Sequence, residues 1–201
     1  MSVEFQDWFK IDGDNTLALD WPGIGSDSIV WEIGGYEGRW TAQMSAKYDP
    51  FLFVFEPQDW AYERMKERFQ GNEKIKLYQF ALWTHDGEMK IGDYEHDGAS
   101  LLKPDDASVK DVLIVDAYSF FLQQDYEFVD VCLMNIEGGE FVLLPYMIGL
   151  GMMKHINYFW LQWHLYVKDA WDKIERLHEM LSLTHDMFWD CGSTAQAWRK
   201  R

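Results

Sequence analysis

The stretch that most constrains this chain is Ser28 to Gly38, SIVWEIGGYEG. Ile29, Val30, Trp31 and Ile33 form a short run of β-branched and aromatic residues, which predicts a buried strand. The run gives way to a glycine-rich turn, Glu32-Ile33-Gly34-Gly35-Tyr36-Glu37-Gly38, and then to Arg39–Lys47, where Trp40, Met44 and Tyr48 recur at helical spacing. A buried strand, a glycine turn and a helix in that order predict an α/β sheet with a small-molecule nucleotide site at the strand's carboxyl end. Glycines there let the backbone approach a ligand where a Cβ would clash. Glu32, at the strand's end, is placed to meet that ligand or to brace the turn.

The rest of the chain repeats the alternation. Phe51–Phe55 is a second apolar strand ending in Glu56-Pro57, and Asp59–Phe69 reads as a helix capped by Asp59. Ile75–Trp83 reads as one strand and Glu88–Ile91 as another. Residues 92–108 form a polar loop long enough to serve as a lid. Val112–Val115 is a short strand and Ala117–Gln124 a helix. Phe128–Ile136 is a buried strand, followed by a helix from Phe141 to Ile148 that Pro145 breaks or reshapes. His155–Leu165 is a further strand, and Asp169–Leu181 is an amphipathic helix with Trp171, Ile174, Leu177 and Leu181 on one face. Leu183–Trp189 and Ala195–Arg199 form a terminal strand pair. The prediction is a seven-stranded, mostly parallel sheet with helices on both faces. Residues 1–27 precede it as an N-terminal hairpin extension, Phe9–Ile11 against Thr16–Leu19 across Asp12-Gly13-Asp14-Asn15, and 28–201 form the ligand-binding domain.

Charge narrows the ligand class. The chain of 201 residues carries a net charge of −16, and its one basic cluster is Arg199-Lys200-Arg201. That argues against a nucleic-acid partner, whose phosphates are met by clustered Lys and Arg. It suits a cationic cofactor or an uncharged substrate. Cys132 and Cys191 have no zinc or redox spacing, no metal is predicted, and the six His show no ligand pattern. No leader and no membrane-spanning run is recognised, so a cytoplasmic protein with no membrane partner is expected. The oligomeric state is not legible.

Three strand ends then fall into register. The first carries Glu32-x-Gly34-x-x-x-Gly38. The second carries Glu56, 18 residues after Gly38 (56 − 38), where doubly wound sheets place a carboxylate that accepts both ribose hydroxyls. The third carries Asn135-Ile136-Glu137-Gly138-Gly139-Glu140. Glu137 is read as facing the reacting end of the site. Glu140 is read as a helix cap. Asn135 either orients substrate or satisfies buried backbone. His164 is a candidate general base. Trp83 and Trp163, near strand ends, are candidates for stacking on an adenine or sugar face.

On these residues the chain resembles the FkbM-type S-adenosylmethionine (SAM)-dependent methyltransferases, a Rossmann-like class I family, from about Ser28 to about His164. Glu32–Gly38 stands where the family has Asp-Val-Gly-Ala-Asn-x-Gly, and Phe55-Glu56-Pro57 matches its Phe-Glu-Pro motif. Ala81-Leu82 through Gly87-Glu88 is similar to its third-strand segment, and Gly98-Ala99-Ser100 to its Gly-Ala-Ser segment. Leu133–Glu140 aligns with Lys-Ile-Asp-Val-Glu-Gly-Ala-Glu, and Leu161-Gln162-Trp163-His164 with a strand ending in Glu-x-His. The family's Lys and Asp are Leu133 and Asn135 here, and its Asn is Tyr36.

The resemblance implies SAM as cofactor, held by Glu32, Gly34, Gly35, Gly38, Glu56, Pro57, Ala81, Leu82 and Ser100. It implies methyl transfer, by catalytic Glu137, His164 and Asn135, to a hydroxyl of a small acceptor such as a sugar. Two alternatives stand beside it. The replacements at Leu133 and Asn135 fit a domain that binds cofactor without turnover. A nicotinamide oxidoreductase fits less well, because Gly34-Gly35 are adjacent where Gly-x-Gly-x-x-Gly separates them.

Overall fold

A computed structural model describes residues 7–92, 109–192 and 194–201. The core is a seven-stranded sheet. In chain order its strands are β1 (Ile29–Ile33), β2 (Phe51–Phe55), β3 (Ile75–Tyr78), β7 (Val129–Met134), β8 (Ile156–Leu161), β9 (His185–Asp190) and β10 (Gln196–Lys200), arranged in space as β3-β2-β1-β7-β8-β10-β9. The five strands from β3 to β8 run parallel, and β10 is antiparallel to both of its neighbours. A small second sheet, β4-β6-β5, is built from β4 (Ala81–Trp83), β5 (Gly87–Gly92) and β6 (Val109–Asp116).

Helices α1 (Arg39–Tyr48) and α2 (Asp59–Arg68) cover one face with residues 7–27. Helices α3 (Ala117–Leu122), α4 (Glu140–Gly149) and α5 (Ala170–Leu181) cover the other. Strand alternation explains the division. Val30 packs under α1 and α2, and Trp31 and Ile33 pack under the other layer. No helix among the described residues is long and apolar enough to cross a membrane.

The parallel α/β sheet with helices on both faces is as expected, and so is the antiparallel terminal pair. Four local expectations are corrected. The expected hairpin arms 9–11 and 16–19 are not strands: 9–11 is turn, and 13–15 and 17–19 form 3-10 turns. Their carbonyls are taken by α1 and by a neighbouring ring: the indole N–H groups of Trp21 and Trp40 both donate to Ala18, and Lys47 and Tyr48 donate to Leu19. The run 75–83 is two strands in two sheets. A bend at Gln79–Phe80 turns the Phe80 ring into a cluster with Phe55, Tyr78 and Phe120, at centroid distances of 5.8, 5.4 and 5.8 Å. Gln58, not Asp59, holds the cap position of α2. Trp171 is 62% exposed, so the buried stripe of α5 is Ala170, Ile174, Leu177 and Leu181. Pro145 lies inside α4, which runs on to Gly149. Burial of Leu143, Leu144 and Met147 accompanies the hydrogen bond that proline forgoes.

Candidate active site

The carboxyl ends of β1, β2 and β7 lie side by side, with Ile33 level with Phe55 on one flank and Met134 on the other. Three backbone bonds lock the turns that follow: Gly34 and Gly35 donate to the Phe55 carbonyl at 3.0 and 3.2 Å, and Asn135 donates to Ile33 at 3.0 Å. Gly34 has φ +92°, and a Cβ there would lie 2.0 Å from the Asn135 carbonyl oxygen. The first glycine is therefore required by the neighbouring backbone. Gly35 packs on Val54 and Gly38 on Phe69, so these two fit the turn onto α2 and β2.

Two cavities open around this turn. The first runs from Gly34 past Glu56, Pro57 and Gln58 to Ala81, Leu82 and Trp83. The second lies on the α1 side, against Glu32, Arg39, Trp40 and Trp160, with Trp8 and Asp14 of the N-terminal segment closing it. Gly34, Tyr36 and Asn135 line both. The strand ends picked out from the sequence are thus brought together. Ser100 and, of the loop 92–108 read as a lid, residues 93–108 lie outside the described residues, while Gly92 ends β5.

Glu56 is buried at the turn. Its Oε2 accepts from the Tyr36 amide and its Oε1 from the Gln58 amide, both at 2.8 Å. Burial pushes its carboxyl up to about 7, against the pull of those two bonds. Glu32 is also buried and accepts from the Thr41 hydroxyl of α1. Burial lifts it to about 8, the Thr41 bond opposes, and the nearby Glu56 charge adds to the rise. Glu32 therefore ties β1 to α1 while presenting to the second cavity. A cation entering either cavity would meet acids that ionise readily in its presence.

At the open edge of the first cavity sits Glu137, held in the left-handed region at φ +51°. Its Oε1 lies 3.1 Å from His164 Nε2, and its Oε2 accepts from the Tyr166 hydroxyl at 3.3 Å. On the far side of the ring, Glu140 Oε1 lies 2.9 Å from His164 Nδ1 and accepts the His164 amide at 2.9 Å. Glu140 Oε2 takes the Gly138 amide at 2.9 Å. Burial disfavours the imidazolium, but the bonds to Glu137 and Glu140 outweigh it and raise His164 to about 9. Both ring nitrogens of His164, the candidate general base, thus face carboxylates. The reading of Glu140 as a cap is corrected: Glu140 is the first residue of α4 and bonds to the turn before the helix.

Asn135 Oδ1 is buried at the junction of the two cavities, with no hydrogen-bond partner among the described residues. Trp83 lines the first cavity, whereas Trp163 is core, stacked on Phe141 at 5.4 Å with its N–H on Gln196. Tyr36, Gln58 and Tyr166 carried no sequence signal. A positive φ at Tyr36 (+46°) is invisible in the residue type, and Tyr166 reaches Glu137 across 29 positions. No group of three or more His, Cys, Asp or Glu among the described residues is arranged to hold a metal ion.

No protein-family model matches this chain, and no curated protein does. Solved structures do. A Streptococcus mutans protein in complex with S-adenosylhomocysteine (SAH) superposes with a TM-score of 0.55 at 8% identity, over 98% of this chain and 100% of that one. An rRNA methylase from Streptococcus thermophilus gives 0.53 at 9% identity, over 98% of each chain. The METTL16 methyltransferase domain gives 0.54 at 13% identity, over 94% of this chain and 66% of that one. The fold is one that these solved structures share. At these identities the likeness extends to the fold, with the site's own residues left to speak for the chemistry.

Proposed function

We propose that this protein is a SAM-dependent methyltransferase that methylates a hydroxyl oxygen of a small acceptor such as a sugar, in the manner of the FkbM-type family it resembles. The observation that carries the reading is Glu56, a buried carboxylate at the end of β2 facing the glycine turn at the end of β1. Each of its oxygens accepts one backbone amide and keeps lone-pair capacity for a ribose hydroxyl. The cofactor-binding set is Glu32, Gly34, Gly35, Gly38, Glu56, Pro57, Ala81, Leu82 and Ser100.

The donor set fits the cofactor. Ala81, Leu82 and Trp83 offer an apolar slot for a base, and Glu56 offers the diol acceptor. Glu32 and Arg39 in the second cavity offer an acid and a cation to an amino-acid end. Asn135 Oδ1 at the junction, with no partner among the described residues, is an acceptor awaiting a donor. When bound, SAM supplies a methyl group on a sulfonium whose C–S electron pair stays with sulfur as the new O–C bond forms. Glu137 takes the acceptor's hydroxyl proton as that bond forms. Asn135 orients the acceptor, and His164 supports Glu137. Most of the remaining acceleration is positioning and exclusion of water.

Charge supports a small acceptor over a nucleic acid. Glu32, Glu56 and Glu137 line the cavities, Arg39 is the one Lys or Arg among the described residues that line them, and the chain's net charge is −16. The test is titration by calorimetry with SAH and, in parallel, with NADH. Binding of SAH alone supports the reading, and binding of NADH alone replaces it with the oxidoreductase. SAH binding without methyl transfer to any acceptor in a panel of sugars, small alcohols and RNA favours a catalytically silent domain. Transfer to RNA overturns the small-acceptor assignment.

A further inference from the structure

Glu137, His164 and Glu140 form a chain of hydrogen-bonded groups beside the first cavity. Glu140, buried at the start of α4, spends one oxygen on the Gly138 amide and the other on both the backbone and Nδ1 of His164. His164, just after β8, turns its Nε2 to Glu137. Tyr166 closes the other Glu137 oxygen. The turn is packed tightly against this loop, since a Cβ on Gly138 would lie 2.9 Å from Val167. Glu137 itself sits at a positive φ, which a non-glycine residue holds only when its surroundings impose it.

We propose that Glu140 acts through His164 as a positioning pair that fixes the Glu137 carboxylate beside the cationic centre of the bound cofactor. The proposal rests on the cofactor reading above and extends it to Glu140 and His164.

The argument is geometric. Glu140 bonds both to the 136–139 turn that carries Glu137, through the Gly138 amide, and to the segment after β8 that carries His164. Its bond to Nδ1 commits that nitrogen as a donor, so Nε2 donates to Glu137 when the ring carries its second proton. The groups facing the ring among the described residues are Glu137 from the turn, Glu140 from α4 and Tyr166 from its own loop, whose ring centroid lies 5.7 Å away. Of this cluster, Glu137 is the member that lines the first cavity. A proton arriving from an acceptor stops at Glu137, because the ring beyond it is already charged. The pair therefore holds the acid in place and does not relay its proton.

The test needs no acceptor. It compares the full chain's affinity for sinefungin, which carries an ammonium group where the cofactor has its methylsulfonium, with that for SAH, which is neutral there. Wild type should prefer sinefungin, and Glu137→Gln should lose the preference. Glu140→Gln and His164→Gln should cut the sinefungin-to-SAH ratio by about tenfold while changing SAH affinity by less than about threefold. A fold-supporting role alone would weaken both ligands equally, and that result, or an unmoved ratio, overturns the proposal. Nitrogen-15 spectra of the wild-type imidazole add a reading independent of any variant's folding. A His164 ring that stays doubly protonated beyond pH 8 supports the pair, and one that titrates near its ordinary value overturns it. Failure of wild type to bind SAH overturns the cofactor reading and this proposal with it, whereas SAH binding with an unmoved ratio overturns the proposal alone.

Discussion

Glu56 Oε2 accepts the backbone N–H of Tyr36 at 2.8 Å, joining the end of β2 to the turn after β1 across 20 positions of sequence. One side chain thus shapes the glycine turn and presents the carboxylate that the turn surrounds. Two consequences can be separated by substitution, because a glutamine keeps the shape and an alanine keeps neither.

Glu56→Ala should weaken SAH binding at least tenfold, since it removes the diol acceptor and leaves the Tyr36 and Gln58 amides without their bonds. Glu56→Gln should retain the fold and lose less. Calorimetric affinities for the three proteins check this, and an alanine variant that binds SAH like wild type would sink the pocket assignment.

The apo protein should lose stability as pH rises. Glu56 and Glu32 are raised by burial from 4.5 to about 7 and about 8, so the folded state holds their protons where the unfolded chain releases them. Their contribution is complete below about pH 4.5 and is lost as pH climbs through 7 and 8. His164, raised from 6.5 to about 9 by its carboxylate partners against burial, adds stability that is complete below 6.5 and is lost through 9. Urea midpoints measured from pH 5 to pH 9 should fall across that range, and Glu32→Gln should flatten the slope.

Much of this site was legible in the residues themselves. Strands β1, β2 and β7 are short apolar runs, each ended by an acid with glycine or proline, so their limits and their shared edge follow from local composition. What was hidden depends on partners far apart in sequence. The Asp12–Asn15 segment has hairpin-turn composition, yet Trp8 packs on Gly13 so closely that a Cβ would fall 2.1 Å from its ring, and α1 claims the following carbonyls. The stretch 75–83 is mostly apolar, broken by Lys76 and Gln79, a pattern a single strand also carries, and its halves pair with strands of different sheets that lie far off in sequence. His164 reads as a free base because Glu137 and Glu140 reach it across 27 (164 − 137) and 24 positions.

Gly34→Ala should be far more costly than Gly23→Ala, although both glycines have positive φ, +92° and +83°. At Gly23 nothing lies within 4 Å of the added Cβ, so the cost is backbone strain, about 1–2 kcal/mol. At Gly34 the Cβ meets the Asn135 carbonyl oxygen at 2.0 Å, which forces β1 and β7 apart. That adds a steric penalty for a total of about 3–5 kcal/mol. Thermal melts of the two variants measure the difference, and equal losses would mean that the close approach is not what requires glycine.

Thr41→Val tests whether Glu32 is a structural tie or a free acid. The Thr41 hydroxyl donates to Glu32 inside the protein, and that bond favours the charged carboxylate while burial opposes it. Valine keeps the shape and removes the donor, so the Glu32 carboxyl should rise further and the variant should lose about 1–3 kcal/mol. The loss depends on pH with a definite sign. Below about 8 the wild-type acid is largely protonated and the missing hydroxyl matters less, whereas above it a buried charge is left with weaker support. Urea unfolding at pH 6 and at pH 9 should therefore show the larger gap between variant and wild type at pH 9. A gap of the same size at both would mean that Thr41 contributes through packing alone.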